Sequence, residues 1–523
     1  MSITHARPLY PIGIQTFADI RKDNYLYIDK TASLYRMVHA GYRYVFLSRP
    51  RRFGKSMLLS TLQSYFEGRR ELFDGLAIET LETEWNTWPV ICLNMYGGGK
   101  ASKEEFDRFL ITQIAVNEAR LSLTSPGSDY PYERMFNLIV NAHNKYGSKV
   151  VILIDEYDAP LTAVLHDEQK FYAIRDYISD FYGVFKVCDQ YIRYCMFAGV
   201  TKIPQLSIFS ALNNIKDISM LPEYASICGI TKEELTTTLR TDIELLATRI
   251  NITYEQALER LTEKYDGYHF AWPSPDILNP YSLMNAFSDG EIGSYWFASG
   301  TPTYVVNLLR KAGIAPAQNL PIEVRRESLM TPFERTYNKV EPILYQSGYL
   351  TIKDYDATSD ILTLDIPNRE VRSGLTKNLI AEYVRDVDTV DILTERMLHM
   401  MNSGNIDDAL RLMQKVFGTL PYCDGCNTEG HYQQLLAFMF ILLGERTDVE
   451  VHTPRGRVDI VMCTKTYLYL IELKLNQSAQ AAMRQIDIRN YAERFALCSL
   501  PIVKVGINFS TAVRNITDWE INI

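Results

Sequence analysis

The sequence predicts an α/β protein carrying two separate sheet-bearing modules, and three features point to it. Apolar strand-like runs alternate with helical stretches through the first 200 residues, the pattern of a parallel sheet flanked by helices. One of those strands leads through Arg49-Pro50-Arg51-Arg52-Phe53-Gly54-Lys55-Ser56 into an apolar helix. Near the C-terminus, Asp459 on one strand is followed thirteen positions later by Glu472-Leu473-Lys474 on another.

The bulk properties suit that architecture. A chain of 523 residues predicts two to four domains, and 47% apolar with 12% aromatic residues is enough for real cores. The first eight residues lack the apolar stretch of a signal peptide, and no run of ~18 apolar residues is present to cross a membrane. Eight scattered cysteines argue for reduced thiols in the cytoplasm over a disulfide framework. The net charge of −9 excludes a protein that coats nucleic acid indiscriminately. Residues 400–523 hold 12 Lys plus Arg against 13 Asp plus Glu, so any DNA contact there needs a local patch such as Arg455, Arg457, Lys474, Arg484 and Arg489, or a bridging metal.

In chain order, residues 42–48 form a β-rich run, 49–56 a loop, and 57–66 a helix, the strand–loop–helix setting that a phosphate loop requires. Backbone N–H groups of Arg49, Pro50's neighbours Arg51 and Arg52, Phe53 and Gly54 can wrap phosphates. Lys55 can reach the β and γ groups, and the Ser56 hydroxyl can ligate Mg²⁺. Arg49 stands where the generic pattern has its first glycine, which makes the opening turn less permissive. Residues 149–154 are a continuous apolar strand ending in Asp155-Glu156, and strand C-terminal ends are where such sheets bind ligands. Asp155 would hold Mg²⁺ and Glu156 would orient the water that attacks the γ-phosphate; two acids closing a strand before a loop is the plainer alternative. A further strand at 194–200 ends in Thr201-Lys202, where Thr201 serves as a polar sensor of the γ-phosphate or the water, or as an ordinary turn residue. The strands at 89–95, 149–155 and 191–199 are separated by helices at 103–121, 131–146 and 168–184, completing the parallel sheet.

Residues 231–300 read as a helical lid, opened by a capping-box-like Thr231-Lys232-Glu233-Glu234 and continued by an amphipathic run at 254–264. Residues 301–425 alternate helices with a hairpin at about 341–365. They carry no catalytic constellation, and their expected role is to connect the two halves and offer a surface to a second copy or a protein partner. Cys423-Asp424-Gly425-Cys426, even with His431 and His452, lacks the second pair that finger-like zinc spacing demands.

At the C-terminus, strands at 449–453 and 458–463 flank Arg455-Gly456-Arg457 as a hairpin. Period-two geometry in residues 467–475 puts Glu472 and Lys474 on one face. Asp459 and Glu472 can hold Mg²⁺ through hard oxygen ligands, while Lys474 orients or helps deprotonate a water or balances charge on a phosphate. Ordinary cross-strand pairing of surface charges is the competing reading.

On these residues the chain resembles two known families. Residues 428–508 follow the helix, three strands, helix, strand order of the PD-(D/E)XK nuclease superfamily, although Asp459 is preceded by Arg457-Val458 and lacks the motif proline. That resemblance implies a restriction-endonuclease-like αβββαβ domain at 426–523, with Glu429 on the first helix as a further metal ligand and Gln485 on the second as a supporting residue. The first 300 residues resemble the bacterial predicted AAA-ATPase-like family through Pro11-Ile12-Gly13, Tyr27-Ile28-Asp29-Lys30-Thr31, the arginine-rich loop, Ile154-Asp155-Glu156-Tyr157-Asp158, Tyr265-Asp266-Gly267-Tyr268 and Asn279-Pro280. It implies a P-loop ATPase core at 1–230 that binds ATP with Mg²⁺. The expected function is ATP-controlled, Mg²⁺-dependent cleavage of nucleic acid, DNA before RNA, in defence or DNA processing. A nucleotide switch whose nuclease-like domain only binds nucleic acid or protein is the alternative, and an ATPase that remodels protein partners is a third.

Overall fold

Five parallel strands in the order β2-β3-β4-β1-β5 form the first sheet of this computed structural model: β1 (Tyr44–Ser48), β2 (Val90–Asn94), β3 (Val150–Asp155), β4 (Ile192–Gly199) and β5 (Lys216–Asp217). The structure describes residues 9–522 apart from 99–101, 124–127, 165–166, 203–213, 297–319, 331–339, 381–386, 418–445, 454–455 and 496–497. Contacts divide the chain into two units, one of residues 1–305 with 323–368 and one of 306–322 with 369–523.

In the first unit, every residue of β3 is buried, which is why Val-Val-Ile-Leu-Ile-Asp shows no polar alternation. Helices Lys103–Arg120, Pro131–Tyr146 and Glu168–Val187 follow the expected boundaries closely and pack one apolar face on Phe46, Ile91, Leu93, Ile152 and Ile154. Pro131 at the first turn and Gly147 at φ 64° punctuate the middle helix as proline and glycine do at helix starts and ends. The opposite face takes the helix Lys55–Phe66, with Phe66 against Tyr194 at 5.4 Å between rings.

The stretch expected to form a lid is helical at Lys232–Thr237, Arg240–Arg249, Tyr254–Tyr265 and Pro280–Asp289. The Thr231 capping box forms as expected: its side chain accepts from Glu234 N, and Glu234 returns to Thr231 N. A short ladder of β6 (Ile230–Thr231) and β7 (Ile277–Leu278) braces these helices over a core of Leu235, Ile243, Leu261 and Leu283. The hairpin expected at about 341–365 is narrower. Residues Glu341–Gln346 are helical, because Pro342 sits at the permissive first turn and Ile343, Leu344 and Tyr345 are all buried. The strands that do pair are β9 (Thr351–Asp356) and β10 (Ile361–Asp365), joined on the β10 side by β8 (Ile322–Arg325).

The second unit holds the sheet β11-β12-β13-β14-β15, formed by β11 (Arg446–Thr453), β12 (Gly456–Cys463), β13 (Leu468–Leu475), β14 (Ile502–Ser510) and β15 (Asn515–Asn522). β13 and β14 are parallel and the other pairs antiparallel. One face packs on helices Val387–Asn402 and Ile406–Phe417 through Met397, Met401, Leu410 and Met413. The other takes helix Ala479–Ile488 through Met483 and Ile486. That helix is shorter than the expected 478–494: Asn490 at φ 45° breaks it, and a single 3₁₀ turn, Tyr491–Phe495, follows. Gly506 lets it lie close, since a Cβ there would overlap the carbonyl of Ala479 and the N–H of Met483. The expected helix at 428–443, with Glu429, and the Cys423–Cys426 pair with His431 lie outside the described residues.

Candidate functional site

Two candidate sites lie in different units. In the first, β1 delivers the chain into the arginine-rich loop, and Gly54 at φ 96° turns it into the helix Lys55–Phe66. Arg52 is left-handed as well, at φ 68°. Its guanidinium lies over the Tyr281 ring at 4.6 Å. The loop is held from outside: Trp296 Nε1 donates to the Arg51 carbonyl at 3.0 Å, and Gly229 N to the Phe53 carbonyl at 3.1 Å. Phe53 is fully buried against Tyr268 and Phe270, with ring centroids 4.8 and 5.2 Å away, which is what the Tyr265–Tyr268 motif does for the loop.

Arg49 resolves differently from a phosphate ligand. It is 1% exposed, and its guanidinium donates to the carbonyls of Ser48 (2.8 Å), Ser219 (2.8 Å) and Tyr224 (2.9 Å) while stacking on Phe270 at 4.4 Å. Its side chain is committed to protein carbonyls, and its backbone N–H, expected to wrap a phosphate, donates instead to the Gly199 carbonyl at 3.1 Å. Lys55 is 4% exposed and donates to the carbonyls of Arg49 (3.0 Å) and Pro50 (3.1 Å), at the head of the loop it would serve. The Ser56 side chain lies beside the Asp155 carboxylate at the end of β3. Burial raises the Asp155 pKa, the nearby Ser56 hydroxyl opposes that, and the neighbouring Glu156 charge adds to it. A hydroxyl and a carboxylate brought together beside a lysine is the donor set a hard cation takes. Glu156 leaves the strand at φ 50°, its N–H on Asp155 Oδ1 at 3.0 Å. Thr201, at the end of β4, donates its hydroxyl to Asp158 at 2.6 Å. Sequence patterning did not assign Asp158, Trp296 or Gly229 any role; the only signal was that Asp158 closes the Ile154–Asp158 motif.

In the second unit the predicted hairpin forms as β11–β12, and Asp459 on β12 lies next to the strand β13 that carries Glu472. The β12–β13 ladder is regular from Ile460↔Ile471 to Cys463↔Leu468. Beyond it, Asp459 Oδ2 accepts the Leu473 N–H at 2.8 Å. Glu472 is 1% exposed. Its Oε1 is 3.2 Å from Lys474 Nζ, and its Oε2 finds no hydrogen-bond partner among the described residues. Burial first, and then the charge of Asp459, push its pKa up to about 7, with Lys474 opposing. A buried carboxylate oxygen without a donor, beside a second acid, is a mark of a cation site. Among the described residues no third His, Cys, Asp or Glu completes it. Lys474 Nζ also donates to the Leu473 carbonyl at 3.1 Å. Gln485 is half-buried on the helix Ala479–Ile488 and donates to the Tyr491 hydroxyl at 3.3 Å, which in turn donates to the Arg457 carbonyl at 2.6 Å.

A phosphate loop on a parallel sheet, and a paired-acid site on a mixed one, define an ATPase-like protein joined to a nuclease-like domain. Residues 11–209 match the predicted AAA-ATPase family, and residues 427–519 match the PD-(D/E)XK nuclease superfamily. An uncharacterized protein from the vnfD 5′ region of Azotobacter chroococcum mcd 1 is 30% identical over 528 residues, covering 99% of each chain. The chain belongs to this predicted AAA-ATPase family and carries its nuclease-superfamily domain at the C-terminus. The Aeropyrum pernix ORC2 structure, in ADPNP and ADP complexes, aligns with 65% of this chain and 87% of its own at 12% identity and a TM-score of 0.25. No helix among the described residues is long and apolar enough to cross a membrane.

Proposed function

We propose that the protein binds and hydrolyses ATP at the Arg49–Ser56 loop and uses the nucleotide to control Mg²⁺-dependent phosphodiester cleavage of nucleic acid, DNA before RNA, in the cytoplasm. The division of labour is an ATPase core at 1–230, a lid at 231–300, a connecting region at 301–425 that serves a second copy or a partner, and the nuclease-like domain at 426–523. Lys55 carries the β and γ phosphates, Ser56 and Asp155 hold the Mg²⁺ of the nucleotide, and Glu156 takes the proton of the attacking water. In the C-terminal site Asp459 and Glu472, with Glu429, would hold a second Mg²⁺, which supplies charge neutralisation and a more acidic bound water when present. Lys474 orients the nucleophile and Gln485 supports the groove.

Glu472 carries this reading, since an acid buried beside Asp459 and Lys474 with one oxygen unpartnered is costly unless it serves a ligand. Its 1% exposure favours a second reading, in which the domain binds nucleic acid or protein without cutting. A cleavage assay with Mg²⁺ or Mn²⁺ on single- and double-stranded substrates, with and without ATP, separates the two. Asp459→Ala should lower cleavage by roughly 10²-fold or more, and indistinguishable wild type and Asp459→Ala would leave only the binding function. In the same preparations, Lys55→Ala and Glu156→Gln should each cut ATP turnover by roughly 10²-fold or more, with Glu156→Gln still binding ATP. Full turnover in both would sink the ATPase assignment.

A further inference from the structure

One carboxylate beside the Asp155-Glu156 turn has no part in the chemistry above. Asp158 is 1% exposed, and the donors it receives come from the end of β4: Val200 N at 3.2 Å, Thr201 N at 2.7 Å and Thr201 Oγ1 at 2.6 Å. The adjoining Tyr157 brackets the same segment. Its N–H donates to the Ala198 carbonyl at 3.1 Å and its hydroxyl to the Thr201 carbonyl at 2.7 Å. Gly199 makes this closeness possible, because a Cβ there would overlap Asp158 Oδ1 and the Tyr157 ring. Residues 157–158 thus clamp residues 198–201, and they do so directly after the two acids assigned to the metal and the water.

Two physical consequences follow. A buried carboxylate is tolerated only while its donors stay in place, so any shift of the β4 end strips Asp158 of several of them together. A threonine hydroxyl has a single hydrogen. With that hydrogen given to Asp158, Thr201 Oγ1 meets any other group only as an acceptor. A γ-phosphate oxygen is itself an acceptor, whereas a water has hydrogens to give.

We propose that Asp158 is a positioning residue for ATP hydrolysis, one that fixes Thr201 and orients its hydroxyl so that it accepts a hydrogen bond from the attacking water and does not donate to the γ-phosphate. This rests on the ATPase reading. In the step itself the water oxygen bonds to the γ-phosphorus as the bond to the β,γ-bridging oxygen breaks. ADP leaves with that electron pair, and the water's proton passes to Glu156.

The test uses the full-length chain with Mg²⁺, measuring steady-state turnover of ATP and equilibrium binding of ATP and ADP. Asp158→Asn places an amide where three donors converge, and should lower kcat at least about tenfold while leaving both nucleotide affinities within about twofold. Thr201→Val should lower kcat similarly with the ATP-to-ADP affinity ratio unchanged, Thr201→Ser should recover most of that loss, and the Asp158→Asn/Thr201→Val double variant should be no slower than the slower single. Wild-type kcat in Asp158→Asn, or losses that multiply in the double, would overturn the positioning role. A Thr201→Val variant that weakens ATP about tenfold relative to ADP would show donation to the γ-phosphate and overturn the acceptor assignment. Should Asp158→Asn fail to fold, the Thr201 pair still decides, since both variants keep the two backbone donors. Turnover that does not depend on Lys55 overturns the ATPase reading and this proposal together, whereas Lys55-dependent turnover that is indifferent to Asp158 and Thr201 overturns this proposal alone.

Discussion

Glu472→Gln is expected to stabilise the C-terminal unit above pH 7 and to abolish cleavage in the same protein. The carboxyl has its folded pKa raised from 4.5 to about 7, so the folded state holds the proton more tightly than the unfolded one. Its contribution to stability is fully present below 4.5 and is lost as pH rises through about 7. A difference of this size corresponds to about 3 kcal/mol once the group is ionised. Glutamine keeps the shape and never ionises, but it leaves a buried amide to satisfy, so the net gain at pH 8.5 should be about 1–2 kcal/mol. Hydrogen exchange of the β12 and β13 amides in the full-length protein reads this directly: protection in the variant should exceed wild type at pH 8.5 and fall to or below it at pH 5. Added Mg²⁺ should raise protection in the wild type at pH 8.5 and leave the variant unchanged, because the cation competes with the proton for the same oxygen. Equal protection of the two proteins at both pH values would mean that Glu472 is not held neutral by its surroundings.

Arg49→Gly, which restores the glycine of the generic phosphate loop, should severely destabilise the first unit. The guanidinium satisfies the carbonyls of Ser48, Ser219 and Tyr224 and fills the space above Phe270. Removing it leaves buried acceptors unpaired and opens a cavity, which together cost about 3–5 kcal/mol. Arg49→Lys should recover little, because one ammonium cannot reproduce a planar fork reaching several carbonyls. Urea midpoints followed by exchange of the β1 and β4 amides give the measurement. An Arg49→Gly protein within ~1 kcal/mol of wild type would show that those carbonyls have other partners.

What the sequence made legible depended on whether the signal was local. The strand found at Val150–Asp155 is an unbroken apolar run that ends in Asp155 and is followed by Glu156, a signal carried entirely by adjacent residues. The placement of Asp459 and Glu472 on adjacent strands was readable because β12 and β13 follow one another with only residues 464–467 between them. β15 was not, because its apolar residues Ile516, Trp519 and Ile521 are not evenly spaced by two. The ladder to β14 shifts register between Asn508 and Phe509, so the extra residue hides the alternation. The task of Arg49 was equally hidden, since its partners Ser219, Tyr224 and Phe270 lie more than 150 residues downstream and no periodicity connects them. Asp158 stood in plain view within a motif, yet its work depends on how near β4 passes, which Gly199 decides.

Gly506 carries a similar weight in the second unit. It lies beside Glu472 in the β13–β14 register, and the helix that bears Gln485 rests directly on it. The depth to which that helix sinks is therefore set by a residue with no side chain, adjacent to the acid whose chemistry is at stake. A larger residue at 506 would lift the helix, and Gln485 with it, off β14. Such a chain could keep its whole complement of site residues and still lose its site.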